Sequence, residues 1–223
     1  FEDEHVLVID KPAGMPVHPS QGHYENTLAN GIAWYYRNEA TPFVFRAVNR
    51  LDRDTSGLVL LAKNPYSSCV LSDAVKDHTI HREYAAIVSG KTDASGTIDL
   101  PIARKDGSTI ERVCDPERGE TAVTHYRTFA YNKDADISFI RLLLETGRTH
   151  QIRVHMKAIG HPLPGDFLYC PDYRFIDRQP LHSTYLRFSH PVTGEKLEFS
   201  ASLPEDMRKL FPDIKNPSGP VFF

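Results

Sequence analysis

Three stretches of this 223-residue chain hold side chains able to do chemistry together. The first is Asn49-Arg50-Leu51-Asp52-Arg53-Asp54-Thr55-Ser56-Gly57, a turn dense in charge that runs straight into apolar Leu58-Val59-Leu60-Leu61-Ala62. The second is Tyr84 within Arg82-Glu83-Tyr84-Ala85-Ala86, and the third is Gly147-Arg148-Thr149-His150-Gln151-Ile152-Arg153. An Asp, an Arg and an aromatic ring meeting in a cleft suit a planar anionic substrate. The ring stacks, the guanidinium fixes the carboxylate, and the carboxylate acts on an electrophilic sugar or base carbon. Each stretch also has a plainer explanation: an Asp-rich turn caps itself through Thr55 and Ser56, and a lone Asp beside an Arg is an ion pair.

Such residues need rigid carriers. Residues 43–48 and 58–62 are rich in β-branched, aromatic and aliphatic types, which predicts strands on either side of the Asp52 turn. Upstream, 6–9 reads as a strand closed by Lys11-Pro12-Ala13-Gly14, and 17–22 as loop. Asn26-Thr27 caps a helix through Leu28, Ile32, Trp34 and Tyr35 that ends before Pro42. Asn64-Pro65 opens a second helix over 65–77, with Val70, Leu71, Ala74 and Val75 on one face. In 81–89, Tyr84, Ala86 and Val88 alternate with charged or small residues, as in a strand. Turn signals at Lys105-Asp106-Gly107 and Pro116-Glu117-Arg118-Gly119-Glu120 predict a long exposed hairpin loop over 101–120. Strands follow at 121–131 and 137–145, joined by Asn132-Lys133-Asp134. Thr149 is expected to cap a helix carrying Ile152, His155, Met156 and Ile159. After a sharp loop at 162–166, strands at 181–188 and 196–200 flank the hairpin turn His190-Pro191-Val192-Thr193-Gly194, and Pro204 opens a last short helix. Strands outnumber helices and are mostly joined by hairpins, so the class is α+β with a mainly antiparallel sheet, flanking helices and one domain.

Composition narrows the function. With 40% hydrophobic and 25% charged residues the chain is globular. Its three cysteines, Cys69, Cys114 and Cys170, are odd in number and far apart, which speaks against a disulfide framework and a paired-cysteine zinc site. A reducing cytoplasm is the expected location. No apolar run is long enough to span a bilayer, so no membrane partner is expected. Formal net charge is −3, yet residues 141–160 set Arg141, Arg148, Arg153 and Lys157, with His150 and His155, against Glu145 alone. Residues 44–63 set four basic residues against Asp52 and Asp54. Locally basic stretches on an acidic chain suit an anionic substrate approaching one face. Two other chemistries fit poorly. Asp54-Thr55-Ser56-Gly57 matches the aspartic-protease signature, but no second copy occurs to share the proton. Eleven histidines are present, without a His-Glu-x-x-His motif or Cys/His ligand spacing, so no metal is expected.

Taken together, Arg50-Leu51-Asp52-Arg53-Asp54-Thr55-Ser56-Gly57-Leu58, Arg82-Glu83-Tyr84-Ala85-Ala86 and Gly147-Arg148-Thr149-His150-Gln151-Ile152-Arg153-Val154-His155 resemble, in order and spacing, the motifs of the large-subunit ribosomal RNA pseudouridine synthase A family. The opening Val8-Ile9-Asp10-Lys11-Pro12-Ala13-Gly14-Met15-Pro16-Val17-His18-Pro19 and the later His161-Pro162-Leu163-Pro164-Gly165-Asp166 are similar to it as well, so the resemblance runs from about Val6 to Phe199. It implies a bent antiparallel sheet with a cleft across it, and isomerisation of uridines in ribosomal or transfer RNA without metal or organic cofactor. It further implies that Asp52 is the essential carboxylate, Tyr84 packs against the uracil, and Arg153 pairs with Asp52. Arg50 fills the gap left by the flipped uridine, Ile152 walls the base, and Arg148 and His150 bind substrate. A monomer is expected, with residues 1–223 as a single catalytic domain lacking the small N-terminal RNA-binding domain of many relatives. Two positions depart from the pattern: Asn49 stands where the family has His, and Glu120 where Lys is expected. A catalytically silent RNA-binding module is the alternative, disfavoured because Asp52, Tyr84 and Arg153 are all present.

Overall fold

The computed structural model of the protein describes residues 1–20, 22, 24–38, 43–214 and 219–222. In chain order the elements are β1 (Val6–Lys11), α1 (Leu28–Tyr35), β2 (Ser56–Ala62), α2 (Pro65–Lys76), β3 (His81–Ser89), β4 (Ser95–Asp99), β5 (Ile102–Arg104) and β6 (Arg112–Cys114). They continue with β7 (Val123–Asn132), β8 (Ile137–Leu144), α3 (Gln151–Ala158), β9 (Leu181–Ser189), β10 (Lys196–Ser200) and α4 (Glu205–Leu210). Two compact units result, Phe1–His81 with Tyr185–Ala201, and Arg82–Thr184 with Ser202–Phe223. The class is α+β, and the pairs β1–β2, β9–β10, β3–β8, β7–β8, β4–β7 and β5–β6 are all antiparallel.

In the first unit β1 pairs with β2 from Val6 opposite Ala62 to Lys11 opposite Gly57. Every residue of β2 is buried, and after Ser56 and Gly57 its Leu-Val-Leu-Leu-Ala run leaves no polar face for water. Its core partners are Val6, Val8, Leu71 of α2, Ile80, Leu186 and Phe188. Helix α2 starts where the Asn64 side chain accepts the Ser67 amide and Pro65 occupies the first turn, where a missing N–H costs nothing. At α1, Thr27 and Asn30 form a reciprocal capping box. Leu28 and Ile32 of that helix are buried, whereas Trp34 and Tyr35 are exposed.

The second unit orders its strands β3-β8-β7-β4, with a bulge in β7 between Thr128 and Ala130. Ala85, Ile87, Ile137 and Phe139 pack against Leu203, and Met207 and Phe211 at α4. Glu83 and Arg141 sit within this sheet at 0% and 1% side-chain exposure, joined Arg141 Nη2 to Glu83 Oε2 at 2.6 Å. The Glu83 carboxylate also accepts the amides of Val221 at 2.9 Å and Phe222 at 3.0 Å. Those bonds tie the chain's last described residues to β3.

Several sequence expectations need correction. Residues 43–48 do not form a strand: they make one bridge, Ala47 to Leu61, and the bonds Val48 N to Leu60 O and Ala62 N to Arg46 O. β3 does not alternate between core and solvent; Arg82 to Val88 are all buried, and Glu83 tolerates this because Arg141 compensates it. The 101–120 stretch is not simply exposed. β5 and β6 form a short hairpin within it, and Ile102 packs with Ala122, Val154 and Tyr169. The helix after Gly147 is capped by His150, not Thr149, and without a side-chain hydrogen bond. β4 was not anticipated at all, since Ser-Gly-Thr-Ile-Asp offers little apolar pattern. Gln21 in the 17–22 loop and Pro42 as the stop of α1 lie outside the described residues.

Removing one partner of a buried ion pair strands the other charge, a loss of about 3–5 kcal/mol. Glu83→Ala is therefore expected to lower the unfolding free energy by about that amount, read from urea denaturation. An unchanged midpoint would show that the pair contributes nothing.

Candidate active site

In the first unit, the Asp52 turn owes its shape to two side chains that reach it from elsewhere. Lys11, fully buried at the end of β1, places its ammonium on the carbonyls of Pro12 at 2.8 Å, Met15 at 2.7 Å and Arg53 at 3.1 Å. An ammonium has three protons, and three acceptors meet it here. Asn49, 6% exposed, donates Nδ2 to Leu58 O at 3.2 Å and accepts the Leu60 amide on Oδ1 at 2.7 Å. Its amide thus takes over from residues 46–48 in satisfying the β2 backbone. The position that departs from the family pattern serves the strand that follows the turn.

Within the turn the Thr55 amide bonds Asp52 O at 3.1 Å. Gly57 enters β2 at φ +108°, a conformation that disfavours any side chain. Asp52 is half-buried and Arg50 exposed. Arg53 grips Asp54 with Nε at 3.0 Å and Nη2 at 2.9 Å. Both Asp54 oxygens are thus engaged by one guanidinium, whereas the protease reading requires a second carboxylate at that place.

In the second unit, Tyr84 lies on β3 opposite Leu142 of β8 and is 5% exposed. The turn into α3 is closed by Gln151, a buried residue that sequence reasoning had not singled out. Its Oε1 accepts Thr146 Oγ1 at 2.8 Å and Arg148 N at 2.9 Å, and its Nε2 donates to Val123 O and Thr124 Oγ1, both at 3.0 Å. All four hydrogen-bonding capacities of the amide are used. His150 takes a left-handed φ of 58°. Its Nδ1 lies 2.9 Å from the Tyr169 hydroxyl, which itself accepts the Arg112 amide at 2.9 Å.

Ile152 is 4% exposed and Arg153 2%. Arg153 donates Nε to Asp166 Oδ2 at 2.6 Å and Nη2 to Asp166 Oδ1 at 2.7 Å. The Tyr169 ring centroid lies 4.9 Å from its guanidinium carbon. Asp166 Oδ1 also accepts the amides of Leu168 and Tyr169, so the carboxylate is held from both chain directions. This partner was visible in the sequence only as part of a loop motif. Gly165 makes the approach possible: a Cβ there would meet the Ile176 and Arg178 carbonyls at 2.5 and 2.6 Å, and its φ is +76°.

Arg148 is exposed, bonded through Nε to Thr121 O at 3.0 Å and through Nη1 to Glu120 Oε2 at 2.5 Å. The second departure from the family pattern, Glu120, thus meets an arginine expected to bind substrate. Among the described residues no three His, Cys, Asp or Glu side chains gather to hold a metal ion, and no helix is long and apolar enough to cross a membrane.

The sequence profile of the family described as RNA pseudouridylate synthase matches residues 5–158, a span that includes Asp52, Tyr84 and Arg153. The chain is 47% identical over 211 residues to the uncharacterized RNA pseudouridine synthase YjbO of Bacillus subtilis, covering 94% of this chain and 74% of that protein. It is 42% identical over 231 residues to the ribosomal large subunit pseudouridine synthase D of Zymomonas mobilis, covering 95% and 70%. Among solved structures, human RNA pseudouridylate synthase domain containing 1 matches with a TM-score of 0.74 at 22% identity, over 98% of this chain and 95% of that one, a likeness of fold. Fold and motifs define the class of RNA-modifying isomerases. The chain belongs to the RNA pseudouridylate synthase family.

His155 offers a test of packing in the motif helix. Its Nε2 lies 2.9 Å from Leu100 O and its Nδ1 2.9 Å from Thr124 Oγ1, so it is a packed residue and not a donor to phosphate. Burial pushes its pKa below the ordinary 6.5, opposed by the Leu100 carbonyl and Asp99. The unfolded chain then binds a proton that the folded chain refuses, so the stabilisation is complete above pH 6.5 and is lost as pH falls. Between pH 7 and 5 wild type should lose stability more steeply than His155→Gln, by up to about 1.4 kcal/mol per pH unit. Parallel urea-unfolding profiles for the two proteins would contradict this.

Proposed function

We propose that this pseudouridine synthase uses Asp52 as its reacting carboxylate on a uridine flipped out of structured RNA. Tyr84 packs against the uracil, Arg153 orients Asp52, and Ile152 walls the base. Arg50 fills the space left in the RNA stack, and Arg148 and His150 hold the strand. The observation that carries the assignment is the setting of the turn: Lys11 and Asn49 fix the backbone on either side of Asp52. The neighbouring Asp54 is engaged by Arg53.

The reaction breaks the bond from C1′ to N1, turns the uracil, and forms a bond from C1′ to C5. The C5 hydrogen leaves as a proton and N1 gains one, so the product is an isomer and no redox partner is required. Asp52 contributes by adding to C1′ or C6, or by assisting proton removal at C2′. Unstacking the target base costs a few kcal/mol, and an inserted Arg50 offsets part of that. The chemistry calls for neither metal nor organic cofactor. Ribosomal RNA is the substrate class named for the large-subunit relatives, with transfer RNA as the second candidate. A monomer acting in the cytoplasm, with residues 1–223 as one catalytic domain, completes the proposal.

Asp52→Asn keeps the side-chain volume and removes the charge and the nucleophile. The variant is expected to bind RNA about as tightly as wild type, because phosphate contacts dominate affinity. It should release no tritium from C5-labelled uridine RNA. Full tritium release by Asp52→Asn would sink the assignment, and loss of activity in Asp54→Asn alone would favour the carboxylate next door.

A further inference from the structure

The second unit has a cleft of about 410 Å³ beside the start of the motif helix, lined by Arg104, Arg112, Arg118, Glu120, Gly147 and Arg148 among others. Two features of it are unusual. Arg104 and Arg112 stand directly opposite each other in the β5–β6 pair, whose strands are three residues each. Like charges facing across an antiparallel pair are destabilising, and so short a hairpin has little stability of its own to spare. Neither arginine has a carboxylate within ion-pair distance among the described residues. The acidic neighbours are engaged elsewhere: Asp106 and Asp115 by Arg118, Glu111 by Lys105, and Glu120 by Arg148. Arg112 Nη1 donates to the Ile110 and Glu111 carbonyls at 3.1 and 3.2 Å, but two guanidiniums without a carboxylate at one cleft suit anionic oxygens.

The Glu120–Arg148 pair at the same cleft explains how the site is controlled. Glu120 is placed by its backbone, with Ile102 N on Glu120 O and Glu120 N on Ile102 O, both at 2.9 Å. Its exposed side chain extends from that anchor to Arg148 Nη1. Arg148 is also held through Nε on Thr121 O, a bond that does not involve Glu120. Glu120 therefore occupies the charge of Arg148 without holding the fold together, the position of a competitor for whatever anion the cleft takes.

We propose that this cleft binds the phosphodiester backbone of the RNA substrate, with Arg104 and Arg112 as its standing contacts and Arg148 as a contact that RNA gains only by displacing Glu120. The inference rests on the RNA-modifying reading above and adds to it a residue that weakens strand uptake and sets its salt dependence. Surface ion pairs of this kind contribute little to stability, so removing Glu120 frees Arg148 at small structural cost.

The test is binding of a fluorescein-labelled single-stranded oligouridylate, followed from 50 to 200 mM potassium chloride on chains that all carry Asp52→Asn, so that no turnover intrudes. Glu120→Gln should bind several-fold tighter, and its plot of log affinity against log salt should steepen by about 0.7, the increment for one added phosphate contact on a single strand. Arg104→Gln and Arg112→Gln should each bind more weakly, with slopes flatter by about the same 0.7. The Glu120→Gln gain should vanish when Arg148→Gln is added. Equal affinities across these variants, or weaker binding by Glu120→Gln, would overturn the proposal. So would a response seen with inorganic pyrophosphate and not with the oligonucleotide, which would mark a small-anion site. Tritium release by the corresponding chains with Asp52 intact is scored separately. Active enzyme with unchanged binding defeats the cleft alone, and the absence of pseudouridine formation defeats the reading beneath it.

Discussion

The Lys11 ammonium is the constraint on which the first unit's site depends. A buried cation is tolerated only if its desolvation is repaid by close acceptors, and the three carbonyls around Nζ provide them. Two of those carbonyls belong to the loop after β1 and the third to Arg53, 42 residues along the chain. The same contact therefore folds the Pro12–Met15 loop and fixes the backbone beside Asp52. Hydrogen bonds to a charged group contribute about 1.5–3 kcal/mol each. The turn's geometry is thus set by backbone atoms and a buried cation.

The second unit uses a related principle with paired charges. Arg153 and Asp166 are almost fully buried together, as are Arg141 and Glu83. Replacing such pairs by apolar residues often leaves stability unchanged or higher, so what they supply is position more than stability. Asp166 locks the Nε and Nη2 edge of Arg153 in one plane, and the Tyr169 ring covers the guanidinium. Tyr169 also reaches His150 and Arg112 through its hydroxyl. One aromatic residue thereby connects the motif helix to the β6 hairpin whose arginines line the basic cleft.

What the sequence disclosed follows the range of the interactions involved. The bounds of β3, His81 to Ser89, were legible because its aromatic and β-branched residues mark a strand, although its charged members suggested a half-exposed strand where a buried one stands. The α2 start was legible because Asn64 and Pro65 act locally. The Asp52 turn and the Arg148 to Arg153 stretch stood out through residue types that local structure does not require. Contacts made at a distance were not legible. Nothing in the spacing of Arg153 and Asp166, 13 residues apart across a proline-rich loop, shows that they pair. Nothing in Lys11 announces that it will be buried, since lysine seldom is. Residues 43–48 have strand composition yet touch β2 only through Arg46, Ala47 and Val48, after which the Asn49 side chain takes over the bonding to Leu58 and Leu60. Charge at Glu83 suggested a solvent face; Arg141, 58 residues on, and the amides of Val221 and Phe222 make its burial possible.

The claim that the site depends on backbone fixed by a buried ammonium is tested most directly by Lys11→Met, which nearly preserves volume and removes all three bonds. The measurement is single-turnover pseudouridine formation at saturating enzyme, well below the variant's melting temperature, alongside RNA affinity under the same conditions. A displaced Asp52 predicts a rate lowered by about a hundredfold or more, the scale expected of a 1 Å misplacement, at nearly unchanged affinity. A folded Lys11→Met chain that reacts at the wild-type rate would contradict the account.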